Sequence, residues 1–152
     1  MEKPSVIIKS ALLVAILDIG AALLQQFIKT GKNPEIVLKF IASGLFGMPA
    51  FSAGPMMSVY GLVLHFFIAF GFTLLFFLLV AKFPGMVKNV FLTGIVYGIF
   101  TWLVMQFLVL PVSKAPAIPL TLTGALLSIL IIIVCIGIPL TLIARKRTKA
   151  FR

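Results

Sequence analysis

The sequence predicts an all-α, polytopic membrane four-helix bundle with a short extra helix between the first two spans, and three observations carry that expectation. The 152 residues are 62% hydrophobic and 11% charged, with a mean hydropathy of +1.25, a balance that no soluble domain of this size carries. Four apolar runs are each long enough to cross about 30 Å of hydrocarbon, which takes roughly 20 helical residues. Of nine prolines only Pro139 falls inside a run, as expected if the runs are helices, because proline removes a backbone donor and clashes with the preceding turn. A disordered chain is excluded because almost every segment is apolar. A disulfide scaffold is excluded because Cys135 has no second cysteine to pair with.

The runs lie at 6–28, 58–81, 87–110 and 120–144, in one transmembrane domain, 1–152. The first run resembles a signal peptide only in following Lys3 and Lys9. It is too long for an h-region, contains Asp18, and ends in Gln25, Gln26 and Phe27 with no small-residue cleavage site, so it is expected to be retained. Residues 29–57 are too apolar for a solvated loop. Asn33 as N-cap with Pro34 at the first helical position starts a helix there, and Gly47 followed by Met48-Pro49 stops it. That helix, 34–47, is too short to span, so it lies at the outer interface or dips in as a re-entrant helix. Glu35, Lys39 and Ser43 recur every fourth residue as a narrow polar stripe. Glu35 and Lys39 are therefore candidates for a lid or interface, the alternative being an amphipathic brace against the bilayer. Pro139 is expected to kink the last span and free the carbonyl of Cys135.

The net charge of +10, from thirteen Lys and Arg against three Asp and Glu, would point to nucleic acid in a soluble protein. Here the bases sit at the ends of apolar runs as orientation signals, so no nucleic-acid partner is expected. Lys3, Lys9, Lys82, Lys88, Arg145, Lys146, Arg147, Lys149 and Arg152 fall on one side, and Lys29, Lys32, Lys39 and Lys114 on the other. Both termini are thus expected in the cytoplasm, with the tail RKRTKAFR as a positive-inside anchor or a docking patch for anionic lipid.

With so few charges, each polar group inside a span is informative. Asp18 is in the middle of the first span, where an unpaired carboxylate is costly, so it is protonated, paired or facing a wet cavity. Ala11, Ala15, Asp18, Ala22 and Gln25 share one helix face. On the second span Gly61, His65, Ala69 and Thr73 form a similar stripe, and the third carries Gly94, Gly98 and, near its outer end, Gln106. If these faces converge, Asp18, His65, Gln25 and Gln106 form an outward-opening polar cavity beneath the short helix, with Asp18 and His65 as a titratable pair. The alternative is that they are hydrogen-bonding glue between helices. No glycine-rich phosphate loop, metal-ligand spacing or bis-histidine haem pattern is present, so no catalytic residue, cofactor or metal is assigned. A triad drawn from Ser58, His65 and Asp18 lacks a nucleophile elbow. A faint echo relates LLQQFIKTGKNP after the first span to LVMQFLVLPVSKAP after the third.

At FIASGLFG (40–47), GLVLHFFIAF (61–70) and YGIFTWLVMQFLVLPVS (97–113) the chain resembles small bacterial four-span integral membrane proteins of uncharacterised function. The resemblance implies a bacterial inner membrane and transfers no catalytic residue. The expected function is that of a small transporter or channel-like protein handling protons or a small polar solute, the bilayer being its partner and a homo-oligomer supplying room for a path. The alternative is a non-catalytic membrane module that binds lipid or stabilises a partner membrane complex. A membrane enzyme acting on lipid or quinone lacks a catalytic constellation.

Overall fold

The computed structural model describes residues 2–150, with side chains through Arg147. It is 85% helical, and among the described residues there are no strands. The protein is an integral membrane four-helix bundle. The spanning helices are α1 (Pro4–Thr30), α3 (Met56–Lys82), α4 (Val90–Val112) and α5 (Leu122–Arg147), with α2 (Glu35–Phe46) between the first two. The tail bases Lys149 and Arg152 lie outside the described side chains.

Local chemistry sets the boundaries. Pro4 opens α1 at the first helical position, and Gly31 closes it in the left-handed region at φ 63°, its N–H donating to the Phe27 carbonyl. Asn33 caps α2 as expected, its Oδ1 accepting from the Glu35 N–H at 3.0 Å. α4 begins three residues later than the apolar run does. A 3₁₀ turn, Pro84–Lys88, takes up the run's first residues, and Asn89 caps the helix by accepting from the Leu92 N–H. Thr121 caps α5 in the same way through the Gly124 N–H.

Two prolines lie inside helices, and each follows a π-turn. Met105–Val109 precedes Pro111, which is in the last turn of α4 and not in the connector, and Ile133–Gly137 precedes Pro139 in α5. In both turns the residue before proline bonds five positions back, Leu110 to Met105 and Ile138 to Ile133. The widened turn accommodates a ring that a regular helix would meet at the fourth residue back. The kink expected at Pro139 therefore takes the form of a π-turn centred on Cys135.

Glycine makes the closest helix contacts. A Cβ at Gly137 would stand 2.0 Å from the Gly94 carbonyl oxygen, and one at Gly98 would stand 2.8 Å from Ile133 Cα. The Gly94–Gly98 face thus packs backbone to backbone on the π-turn of α5. In order round the bundle α3 packs on α1, α1 on α5, and α5 on α4. α3 and α4 meet through Tyr97, whose hydroxyl donates to the Phe72 carbonyl at 2.5 Å and whose ring stacks edge-on to Phe76 at 4.8 Å.

The core occupies one half of the bundle. Val6, Ile7, Val14, Phe76, Phe77, Val80, Val87, Tyr97, Ile136, Leu140 and Ala144 form a single buried cluster. These come from the first half of α1, the second half of α3, the 3₁₀ turn before α4 and the first half of α4, and the second half of α5, all toward the chain termini. Toward the other end, which carries α2, the helices separate.

Candidate functional site

The inward stripes of α1 and α3 meet as the spacing predicts. Ala11 and Ala15 are buried on α1, Gly61, Ala69 and Thr73 on α3, and small residues at both faces let the two helices close around the larger Asp18 and His65. His65 Nε2 is 3.0 Å from the Ala15 carbonyl and 3.9 Å from Asp18 Oδ2. A carbonyl can only accept, so Nε2 carries the hydrogen and donates it. Nδ1 is then left without the hydrogen, and the Asp18 carboxyl is the acid that the ring faces. This pair sits roughly 18 Å along α1 from its α2 end, at about 1.5 Å per residue.

Nearer that end lies a cavity of about 600 Å³ between α1, α4 and α5. Gln25, Gln26 and Lys29 line it from α1, Trp102 and Gln106 from α4, and Gly124 and Ser128 from α5. The connector from Ser113 to Thr121 forms one wall, and Phe40 reaches in from α2. Gln26 and Gln106, the two glutamines matched in the sequence echo, therefore face the same space.

α2 borders this cavity and is anchored on two sides. A Cβ at Gly61 would stand 1.9 Å from the Leu38 carbonyl oxygen, so α2 lies backbone to backbone on α3. Its first residue, Glu35, accepts from Ser58 Oγ at 2.7 Å, and Phe46 at its other end stacks on Tyr60. Both ends thus touch the same turn of α3, which α2 crosses steeply. On the other side the Lys114 N–H donates to the Gly44 carbonyl at 2.9 Å. The Ser58 hydroxyl, then Lys39 at 3.3 Å, hold the Glu35 carboxyl below its ordinary pKa.

The four residues expected to share one polar cavity are distributed over two places. Gln25 and Gln106 line the cavity, whereas Asp18 and His65 form a separate pair two helical turns below Gln25 on the face of α1 that carries both. Glu35 and Lys39 pair with each other at the α2–α3 contact. Sequence reasoning left out Lys29 and Trp102. Lys29 was one of several helix-end bases, and nothing in the pattern distinguished a wall residue from an anchor. Comparison with family models, curated proteins and solved structures returned no match.

Proposed function

We propose that this integral membrane protein is a small transporter that receives a polar solute in an outward-facing cavity and couples it to protonation of the Asp18–His65 pair. The observation that carries the reading is that pair, a carboxylate and an imidazole 3.9 Å apart inside helices apolar enough to span a membrane. The cavity lies on the same α1 face, so a solute held at Gln25 is two turns from this pair of ionisable side chains. The packed half toward the termini favours a device that alternates over an open pore, since Phe76, Phe77, Leu140 and Val14 are fully buried there. The π-turns before Pro111 and Pro139 border the cavity and the pair, and are the points at which α4 and α5 can bend. In this reading the membrane is a bacterial inner membrane with both termini in the cytoplasm, and α2 lies at the outer interface as a cover.

The test is proton flux into dye-loaded liposomes after a pH jump. Flux above that of empty liposomes is expected, and Asp18→Asn should abolish it while helix content is retained. Flux that never exceeds the empty-liposome rate, or that survives Asp18→Asn unchanged, overturns the proposal.

The closed half also supports a second reading, a non-catalytic module that binds lipid in the cavity or braces a partner complex. Native mass spectrometry of gently extracted protein separates the two. A retained phospholipid or protein mass favours the module, and a retained small solute or a defined homo-oligomer favours transport.

A further inference from the structure

From the cavity's lining we infer that its ligand is an organic anion, a carboxylate or phosphate carried on an apolar body; this rests on the reading of the cavity as a solute site and specifies its chemistry. The volume of about 600 Å³ is in the range of small-molecule sites and far exceeds that of a single water or bare ion. Its lining contains one ionisable side chain, Lys29, and no acid. The chain's three acids are elsewhere, Glu2 at the opposite end of α1, Asp18 in its separate pair, and Glu35 bound to Ser58 and Lys39.

The donors in the wall are unused. Among the described residues Lys29 has no ion pair, and the side-chain amides of Gln25, Gln26 and Gln106 make no hydrogen bond within the chain. One ammonium and three amides with free N–H groups, converging on one space, match an oxyanion's several lone pairs. A cationic ligand would meet Lys29 with no carboxylate to offset it. Of the three hydroxyls, Ser128 Oγ already donates to the Gly124 carbonyl and Ser113 Oγ to the Leu110 carbonyl, while Thr121 Oγ1 accepts from the Gly124 N–H. The start of α5 opens on the same space through Thr121 and Gly124, adding the positive end of a long helix. Trp102, Phe40, Leu110 and Ile118 supply the apolar remainder of the wall, which fits a ligand with a hydrocarbon body behind its charged group. Lys32 and Lys114 at the same end add further positive charge that attracts an anion to the mouth.

Trp102 is the chain's sole tryptophan, so its emission reports directly on the cavity. Full-length protein in phosphatidylcholine nanodiscs is titrated with hexanoate, hexyl phosphate, hexylammonium and hexanol. A saturable change is expected with the anions, and affinity at least about tenfold weaker for the cation and the alcohol. Lys29→Gln should weaken anion binding about tenfold, the usual scale for losing a charge-assisted hydrogen bond, while Lys9→Gln, at the opposite end of α1 and outside the lining, leaves it unchanged. Hexanol or hexylammonium binding as tightly as hexanoate overturns the inference, as does Lys29→Gln without effect. Repeating the titration in phosphatidylglycerol nanodiscs distinguishes the sources of the anion. Emission already in its bound form, with hexanoate competing, identifies a lipid headgroup; unchanged starting emission identifies a free acid. Because the readout is equilibrium binding, its failure leaves the Asp18 flux result standing, and a failed flux test leaves the anion selectivity standing.

Discussion

At Glu35 a single carboxylate ties the short helix to the bundle. It accepts from Ser58 and pairs with Lys39, and these contacts hold its pKa below the ordinary 4.5. A depressed carboxylate stabilises the docked state above the unfolded pKa, and that contribution is lost as pH falls through the lower, folded value. The α2 amides are therefore expected to lose hydrogen-exchange protection on acidification below about pH 4, after correction for intrinsic rates. Glu35→Gln should remove that pH dependence, because the amide keeps an acceptor for Ser58 and does not titrate. Protection in Glu35→Gln that still falls with acid would show that another group governs the docking. Asp18 and His65 illustrate the other limit of residue-level reading. Their placement on inward stripes was legible from spacing alone, since small residues every third or fourth position mark the packed face of a membrane helix. The Ala15 carbonyl as the acceptor for His65 was not, because backbone acceptors leave no trace in residue identity.

Among the elements, the glycines divide into those that touch a neighbour and those that do not. Gly137 on the α5 π-turn faces the Gly94 carbonyl, and Gly61 faces the Leu38 carbonyl, so an added methyl at either meets backbone that cannot swing aside. Gly71 and Gly20 have nothing within 4 Å of an added Cβ. Gly137→Ala and Gly61→Ala are expected to destabilise by about 1–3 kcal/mol as overpacked contacts. Gly71→Ala should be neutral or stabilising by up to about 1 kcal/mol from helix propensity. Thermal unfolding in detergent, followed by circular dichroism, ranks the three variants, and an equal response at Gly71 and Gly137 would contradict the backbone-to-backbone packing. The boundaries of α1, α2 and α5 followed from Pro4, Asn33 and Thr121, whose chemistry is local. The π-turns are of another kind. Pro139 announced a distortion, but that the widened turn packs on Gly94 and Gly98 of α4 is a tertiary fact.

For the whole molecule, the distribution of bases sets the orientation expected in the membrane. Among the described side chains seven Lys and Arg lie on the side of the termini and the α3–α4 connector, against four on the α2 side. On the positive-inside rule the α2 end is expected to be external. A cysteine introduced at Ser113, with Cys135 replaced by Ala, should react in intact cells with an impermeant maleimide, whereas one at Lys88 should react only after lysis. The reverse pattern would invert the orientation and place the cavity mouth in the cytoplasm.

How far the sequence reaches follows from the range of the forces involved. By itself it determined the membrane class, the four spans, the short helix, and which faces of α1 and α3 turn inward. These depend on transfer of side chains from water to lipid and on local backbone chemistry, both of which are written residue by residue. Only the tertiary structure decided that the core fills the half near the termini, that the helices part toward α2, and that Gln25 and Gln106 line a cavity while Asp18 and His65 form a pair beneath it. Between helices in a bilayer the hydrophobic pattern no longer distinguishes a neighbour from lipid, because both are apolar. Relative rotation and depth are then set by close packing at Gly61, Gly94, Gly98 and Gly137, contacts between segments far apart in the chain, and for that reason Lys29 and Trp102 became part of a site only once the helices were assembled.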